Sequence, residues 1–274
     1  MKIKVHIFDK ELLKTYYVWL SIICVITTLL FIFVTIPDQY KVCGGIAFII
    51  VLATIYFGLW IYANRLKRVI LTINNSKAEV KIGNIFEEEG LKVIAFNEYF
   101  DSLVNEKVIA SSTLNGQFIN NYVNDINELN KEILENKHLS SRKLENNTSR
   151  REGNTQKYAL GSIHEHNDYL LTAFTKFDED NRAFLKMSDY INCLLNFWNE
   201  IDIIYANRSV IIPLLGTGIT RLKDYDTMSE QEKLELLLWS FKVSRIKFTY
   251  PAKVTVVIHE SFQDKINFYK LKKI

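Results

Sequence analysis

The sequence predicts a protein of two parts, an all-α transmembrane hairpin of two helices followed by a soluble domain of the α/β class. Two observations predict the hairpin: residues 15–36 and residues 42–64 contain no charged side chain, and each segment can cross a hydrocarbon core of roughly 30 Å. The third observation predicts the α/β class, because beyond residue 69 apolar strand-like runs alternate with helical patterns. We therefore expect domains at residues 1–68 and 69–274.

The membrane segments have two alternatives, a cleaved signal peptide and a buried hairpin of a soluble protein. The first apolar run is too long for a signal peptide, has no small-residue cleavage site and is followed almost at once by a second run. The lack of charge in both runs argues against a soluble hairpin. Neither span contains an acidic, basic or histidine side chain, so no ion or proton pathway is expected. The hairpin is interpreted as an anchor or a self-associating element in a lipid bilayer.

The distribution of basic residues predicts the orientation of the hairpin. The loop between the spans carries only Lys41, whereas basic residues cluster outside both spans. By the positive-inside rule, we expect a multi-pass membrane protein with both termini in the cytoplasm. The clustered residues are Lys2, Lys4, Lys10, Lys14, Arg65, Lys67 and Arg68.

Composition excludes several functions of the soluble part. The net charge of +3 is too small to indicate a nucleic-acid partner, and no basic and aromatic run resembles a base-stacking groove. The three cysteines form no CxxC pair, so neither a zinc site nor a redox site is expected. Free thiols fit a reducing compartment.

In chain order, the soluble part begins with strands at 69–73 and 78–82, joined by an Asn74-Asn75-Ser76 turn. Gly83-Asn84-Ile85 breaks the pattern before a strand at 91–96, and helical spacing then predicts one helix over 118–136. Residues 138–155 are polar and predict a loop, whose basic residues form either an anion-binding lip or, more simply, a solvated surface. These residues are Arg142, Lys143, Arg150 and Arg151.

A strand pair at 158–163 and 169–177 is expected around the cluster His164-Glu165-His166-Asn167. The two histidines suggest a metal, but they lie in a predicted turn without a third ligand, so no metal site is expected. The remaining elements are a helix at 182–201, a strand in the apolar run 210–219 that leads into a tight loop, a helix at 233–246 opened by a capping box at Ser229, a strand at 253–258 and a helix at 263–271.

The run Val210–Ile219 is the strongest candidate for a binding site. Its apolar strand ends abruptly in Gly216-Thr217-Gly218. Two glycines allow positive φ and a close approach of the backbone to a ligand. Outward-pointing N–H groups in such a turn suit an anion, most simply a phosphate. The alternative is an ordinary turn at a strand end.

The order of three turns, Gly83-Asn84-Ile85, Phe96–Asp101 and Leu215–Ile219, resembles the macro domain, a family that binds ADP-ribose. The resemblance extends from about Val69 to the C-terminus and implies a macro-like, three-layer α/β/α domain. In that family the first turn usually has an acid where this chain has Asn84, and a glycine run follows the second turn. That run is absent here, which implies a different substituent on the distal ribose. The implied ligand contacts are Asn84, Ile85, Asn97, Tyr99, Phe100, Asp101, Leu215, Gly216, Thr217, Gly218 and Ile219.

Two membrane helices before such a divergent macro domain resemble the membrane-macro effectors of Thoeris antiphage defence. The resemblance implies a TIR-domain partner enzyme that uses NAD and releases histidine–ADP-ribose, an NAD-derived signalling nucleotide, during infection. It also implies a homo-oligomer in the bacterial inner membrane that disrupts the membrane and causes abortive infection.

The expected protein is therefore a sensor and effector rather than an enzyme, without a cofactor. No nucleophile with its base stands out, although Glu98 and Asp101 could act as acid or base near the distal ribose. The enzyme alternative is a membrane-bound ADP-ribosyl hydrolase, because fold does not fix function. A third alternative is a structural membrane adaptor.

Overall fold

The structure is a computed structural model that describes residues 3–217, 221–223 and 228–272. The predicted contacts Gly218 and Ile219 lie outside the described residues. The chain divides into two compact units: the first comprises residues up to Val69 together with the terminal segment from Ile266, and the second comprises Ile70–Lys265.

The first unit contains the two apolar helices, α1 (Lys10–Phe33) and α2 (Asp38–Arg65). Helix α1 begins where the Asp9 carboxylate accepts hydrogen bonds from two N–H groups of the first turn, and Pro37 precedes α2. Both helices are long and apolar enough to cross a membrane, and the most apolar window of each is 0% buried within the protein. Their large apolar side chains are therefore available to lipid.

An N-terminal arm packs on the last turns of α2. Oδ1 of Asn64 accepts hydrogen bonds from the backbone N–H groups of Lys4 (2.7 Å) and Val5 (2.9 Å), and Trp60 Nε1 donates to the Val5 carbonyl at 2.9 Å. The buried Asn64 amide is thereby satisfied, as a polar group in this position must be.

The last helix, α8 (Phe268–Leu271), completes the first unit. Tyr269 packs with Val5, Leu12 and Ala63, and its hydroxyl lies 2.7 Å from the hydroxyl of Thr15. The first unit thus combines the two ends of the chain.

Nine strands of the described residues form one sheet in the order β1-β2-β11-β9-β3-β7-β8-β10, with β6 paired to β7. The strands of this sheet are β1 (Arg68–Ile73), β2 (Ser76–Ile82), β3 (Leu91–Asn97), β6 (Ile163–His166), β7 (Tyr169–Phe177), β8 (Ala183–Lys186), β9 (Val210–Pro213), β10 (Arg221–Lys223) and β11 (Val254–Ile258). A separate antiparallel pair is formed by β4 (Lys143–Asn146) and β5 (Gln156–Tyr158).

Helices cover both faces of the sheet, which gives the expected α/β/α layers. The helices of the second unit are α3 (Leu114–Tyr122), α4 (Ile126–Glu135), α5 (Lys137–Ser140), α6 (Met187–Ile204) and α7 (Glu230–Ser244). Leu171 and Ala173 of β7 pack with α3 and α4, whereas the alternate residue Phe174 meets Tyr190 of α6, with ring centroids 5.7 Å apart. Successive side chains of a strand point to opposite faces, so one strand supports both layers.

The single helix predicted over 118–136 is wrong, because α3 and α4 are separated between Tyr122 and Ile126. Val123 is extended, and the Asp125 carboxylate accepts from the N–H groups of Asn127 and Glu128. This local side-chain bond begins a new helix at a position where continuous helical spacing had suggested no interruption.

The predicted start of the helix at residue 182 is also wrong, since β8 precedes α6. Phe184 pairs with Lys176 in antiparallel register and with Arg221 in parallel register. Asp178–Asn181 is a turn that joins β7 to β8, closed by the Asn181 N–H donating to the Asp178 carbonyl at 3.0 Å. Pairing of β8 with β7 and β10 therefore overrode the helical spacing.

Three other local predictions need correction. His164 and His166 lie in β6 rather than in a turn, and the chain reverses at Asn167, whose φ is 54°. The region 138–155 contains part of α5 and all of β4, so it is not a continuous loop. The terminal helix is divided into a short helical turn over Glu260–Lys265 and α8.

Candidate functional site

The candidate site lies at one edge of the sheet, where five neighbouring strands end. β2, β11, β9, β3 and β7 are mutually parallel. Their carboxyl ends therefore meet at the same edge, and the three turns singled out in the sequence follow β2, β3 and β9 there. In open α/β sheets, ligands bind at this carboxyl edge.

β3 and β9 are neighbours in the sheet, so the loops that follow them leave the carboxyl edge side by side. From β3 the chain proceeds towards β7, and from β9 it reaches β10, beyond β8, before it returns to β11. The loops after β3 and β9 therefore adjoin one another at the candidate site.

The loop after β9 is buried at its start and more open at Thr217. Gly216 has a φ of +82°, a conformation that suits glycine, and a side chain there would lie 3.4 Å from Cε2 of Tyr190. The Tyr190 hydroxyl donates to the Leu215 carbonyl at 3.3 Å, and the Thr217 hydroxyl donates to the Leu214 carbonyl at 2.8 Å. The first of these bonds ties the turn to α6, and the second closes the turn on itself.

The loop after β2 presents Asn84 at the surface. Its Oδ1 accepts from the Phe86 N–H at 3.2 Å and its Nδ2 donates to Glu87 Oε1 at 3.1 Å, so the amide begins a short helical turn. Ile85 is buried against Ile211 of β9 and Val257 of β11. Residue 84 is thereby fixed relative to the strand that precedes the glycine turn.

The loop after β3 turns inward. Asn97 Oδ1 accepts from the N–H groups of Tyr99 (3.0 Å) and Asp101 (3.3 Å), and Phe100 has a φ of 50°. The exposed fractions of Asn97, Tyr99, Phe100 and Asp101 are 3%, 2%, 0% and 0%. These predicted contacts lie at the correct edge but beneath its surface, so their contact with a ligand requires the loop to open.

Arg150 holds this loop closed. Its guanidinium bonds both carboxylate oxygens of Asp101, at 2.9 and 2.5 Å, and stacks 4.0 Å from the Tyr99 ring centroid. The Asn154 N–H adds a third bond to the carboxylate at 2.6 Å, and the Arg150 side chain is only 6% exposed. The predicted solvated surface is therefore wrong for Arg150. The sequence shows that residue 150 is basic, but it does not show that Asp101 is its partner.

Glu98 is a second buried carboxyl at this edge, between β3 and β7. Burial raises its pKa above the usual range, although the cations of Lys157, Lys176 and Arg150 act in the opposite direction. Its backbone N–H donates to the Thr175 carbonyl at 2.7 Å, which holds the residue at the sheet. The arrangement provides a carboxyl that takes up a proton more readily than an exposed glutamate does.

The groups beneath the glycine turn are poorly suited to nucleophilic attack. Burial raises the pKa of the Cys193 thiol and of the Tyr190 phenol well above neutral pH. Both groups are therefore protonated; Tyr190 packs under the loop, and Cys193 Sγ lies against the backbone carbonyls of Ala173 and Phe174 in β7. What the edge offers is a glycine turn, an exposed amide and a closed acidic loop, an arrangement suited to holding a ligand.

Comparison with known proteins gives two kinds of similarity. The family model described as "Thoeris protein ThsA, Macro domain" matches residues 78–259, a range that contains all three loops of the edge. The Thoeris protein ThsA of Bacillus amyloliquefaciens (strain Y2) is 42% identical over 278 residues, covering 96% of this chain and 91% of that protein.

Solved macrodomains of Oceanobacillus iheyensis are also similar. The structure with ADP has a TM-score of 0.47 and 12% identity, covering 75% of this chain and 94% of its own. The structure with MES bound has a TM-score of 0.40 and 13% identity, covering 75% of this chain and 95% of its own.

Proposed function

We propose a function for this chain from the premise that it belongs to the Thoeris ThsA family, to which the family model and the 42% identical relative assign it. The chain is a Thoeris antiphage effector with a macro ligand-binding domain. The proposal is that this domain senses an NAD-derived signal made by a TIR-domain enzyme during infection. The preferred signal is histidine–ADP-ribose, and the response is self-association of the membrane helices, disruption of the cell membrane and abortive infection.

The observation that carries the proposal is the convergence of the loops after β2, β3 and β9 at one edge, on either side of the β3–β9 boundary. A glycine turn with φ of +82° at Gly216 suits a diphosphate, since backbone N–H groups can face the anion without a side chain between them. The exposed Asn84 amide is available to the adenine, and the loop after β3 to the distal substituent.

The proposed role is binding without turnover. Glu98 supports the alternative of a membrane-bound ADP-ribosyl hydrolase, because a carboxyl with a raised pKa at the ligand edge is suited to acid catalysis. Incubation of the full chain with histidine–ADP-ribose and with ADP-ribosylated protein distinguishes the two. We expect both substrates to persist, whereas release of ADP-ribose that is lost in Glu98→Gln would establish the hydrolase.

The first experiment is a calorimetric titration of the full chain in detergent with ADP-ribose, cyclic ADP-ribose and histidine–ADP-ribose. We expect histidine–ADP-ribose to bind most tightly. Thr217→Asp adds a negative charge beside the proposed diphosphate and should weaken binding by at least about tenfold, since each 1.4 kcal/mol is a factor of ten.

Asn207→Asp is the matched control, because it adds the same charge in the turn at the opposite end of β9, where φ is 58°. Equal affinity of both variants for the ligand would remove the diphosphate from the loop after β9. Gly218→Glu tests the part of the glycine turn that lies outside the described residues, and it should also abolish binding.

The second experiment concerns the output. Two helices without charged side chains in their spans cannot line an aqueous path alone, so several copies must cooperate. A ligand favours the assembled state only through a higher affinity for it. Native mass spectrometry should detect larger assemblies with histidine–ADP-ribose, and cells that co-express the TIR enzyme should admit an impermeant dye. Both effects should vanish in Gly218→Glu, and an unchanged size distribution at saturating ligand would reject ligand-driven assembly.

A further inference from the structure

Two histidines of β6 and a glutamate of α4 form a cluster away from the candidate ligand edge. Glu132 Oε2 lies 2.7 Å from His166 Nδ1 and 3.6 Å from His164 Nε2. One ligand atom from each of the three residues lies within 4.8 Å of the other two. The sequence offered two histidines without a third ligand, and the fold supplies the third from a helix distant in sequence.

Strand geometry brings the three side chains together. His164 and His166 are two residues apart in β6, so their rings point to the same face of the sheet. His166 pairs with Tyr169 at the start of β7, whereas the candidate ligand edge lies beyond the other end of β7. The cluster is therefore separate from the ligand edge.

The cavity at this cluster has the charge that a cation requires. Its volume is about 350 Å³, and Glu135 and Glu165 line it together with the three clustered residues. Glu165 is paired with Arg208 at 2.7 Å, which leaves the cavity acidic through Glu132 and Glu135. A cavity that combines carboxylates with imidazoles favours a divalent ion of intermediate softness over Mg²⁺ or Ca²⁺, which prefer oxygen alone.

His164 supplies an independent observation. The residue is 3% exposed, and its Nε2 has no hydrogen-bond partner among the described residues. The nearest carboxylate oxygen, on Glu132, is too distant at 3.6 Å for a hydrogen bond. A buried ring nitrogen without a partner is costly, and a ligand in the cavity would satisfy it.

We propose that Glu132, His164 and His166 bind a divalent transition-metal ion of the Zn²⁺ type, with a fourth position open to water from the cavity. Two imidazoles and one carboxylate form a ligand set that zinc accepts in tetrahedral geometry. The ion would join α4 to β6 and thereby stabilise the fold. The proposal does not depend on the nucleotide that the domain binds.

Asn136 determines how strongly His164 can bind the ion. Its Oδ1 accepts from the Leu139 N–H at 2.9 Å and so caps α5, while its Nδ2 donates to His164 Nδ1 at 3.0 Å. This arrangement puts the proton of the neutral ring on Nε2, the atom that must face the metal. For Nε2 to bind the metal, the ring proton must move to Nδ1, and the Asn136 amide must rotate so that its Oδ1 accepts from Nδ1–H. Oδ1 then no longer accepts from the Leu139 N–H, so the α5 cap is lost.

The arrangement at Asn136 leads to a gain-of-affinity test. In Asn136→Asp, one carboxylate oxygen can cap α5 while the other accepts from His164 Nδ1–H, so the two requirements no longer compete. Carboxylate–histidine–metal triads of this kind contribute roughly 10–100-fold in affinity. We expect Asn136→Asp to tighten Zn²⁺ binding, an outcome that a purely structural histidine cluster would not produce.

The experiment is competition between the untagged full chain in detergent and a colorimetric zinc chelator. We expect one Zn²⁺ per chain, with affinity lowered roughly tenfold or more in His164→Gln, His166→Gln and Glu132→Gln. His259→Gln is the matched control, since this exposed histidine contacts Ser261 through Nδ1 and lies outside the cluster. Replacement by Co²⁺ should give the intense visible absorption of a tetrahedral site.

Thermal unfolding in Zn²⁺ and in EDTA checks the same variants for folding. Zn²⁺ should raise the unfolding temperature of the wild type and of His259→Gln, but not that of the cluster variants. The proposal is overturned if the wild type binds no more Zn²⁺ than the folded His164→Gln protein does, or if Asn136→Asp binds Zn²⁺ less tightly than the wild type.

Discussion

Asp101 and Arg150 form an ion pair with almost no exposed surface, 0% and 6% for their side chains. Asn97 Nδ2 and the Asn154 N–H also bond the carboxylate, so the charge is satisfied on several sides. Removal of one member of such a pair leaves an uncompensated buried charge. The pair therefore fixes the loop after β3 against the segment that contains Arg150.

We expect Arg150→Met to lower the free energy of unfolding by about 3–5 kcal/mol, because it leaves the Asp101 carboxylate buried without its counterion. Arg182→Met is the matched control. Arg182 pairs with Asp180 at 3.2 Å, but these side chains are 65% and 67% exposed, so the loss should be about 0–1 kcal/mol. Urea unfolding followed by circular dichroism measures both, and equal losses would contradict a special role for the buried pair.

The buried Glu98 carboxyl predicts a dependence of stability on pH. Burial raises its pKa in the folded protein above the ordinary value of 4.5, so the folded state binds the proton more tightly than the unfolded state does. Stability from this group is present below pH 4.5 and is lost as the pH rises through the folded pKa.

Glu98→Gln should therefore stabilise the protein at pH 7, and its advantage over the wild type should shrink as the pH falls towards 4.5. Unfolding midpoints at several pH values give this difference. The control is Glu89→Gln at an exposed position, for which the difference should stay flat. An advantage of Glu98→Gln that grows on acidification would show that the carboxylate, not the acid, is favoured in the folded state.

At the scale of the element, the sequence predicted strands well where burial follows from residue type. The apolar runs of β3, β7, β9 and β11 are all present because each is covered on both faces, which leaves little choice of residue. Two of the failed predictions, the single helix over 118–136 and the helix start at 182, have different causes. Helical spacing continued through Asp125, which instead caps a new helix, and it continued through Phe184, which pairs with β7 and β10.

The same distinction between local features and contacts between distant segments applies to the candidate ligand edge. The positions of the three turns could be predicted, since they come directly after the strands. The burial of the loop after β3 could not, because it depends on an ion pair between residues 101 and 150, on segments far apart in sequence. The Glu132–His164–His166 cluster was missed for a similar reason, since Glu132 reaches it only through the packing of α4 on β6.

The capping box of α7 is a local feature that the sequence predicted and the structure contains. The Glu232 N–H donates to Ser229 Oγ, and Glu232 Oε2 accepts from the Ser229 N–H. Ser229→Ala should lower the free energy of unfolding by about 1 kcal/mol, as the loss of a helix cap usually does. Ser112→Ala, at another exposed serine, is the control and should cost less. Equal urea midpoints for the two variants would mean that the cap does not limit the stability of α7.

At the scale of the whole molecule, the first unit bears on the orientation of the chain in a membrane. The N-terminal arm, the end of α2 and α8 pack in one unit, through Asn64 and through Asn267 Nδ2, which donates to the Lys4 carbonyl at 3.2 Å. If α1 and α2 span a bilayer, these three segments lie on the same side of it. The basic residues at both ends of the hairpin favour the cytoplasmic side.

We expect reporter fusions at Met1 and at Ile274 both to report the cytoplasm, because the positive-inside rule and the packing of both chain ends agree. A fusion in the loop at residues 37–41 should report the opposite side. Lys41→Gln with the loop fusion serves as a control for insertion efficiency and should leave the orientation unchanged. Opposite signals from the two terminal fusions would exclude a two-span hairpin.

The packing of Tyr269 with Val5 and Leu12 makes the order of synthesis matter. The ribosome completes α1 and α2 early, but Tyr269, which packs against them, is translated only after the whole α/β domain. The first unit therefore stays unfinished until the macro domain has been made. A chain truncated within that domain would carry the hairpin without this packing. For a protein proposed to damage its own cell, the fold thus ties completion of the first unit to synthesis of the macro domain.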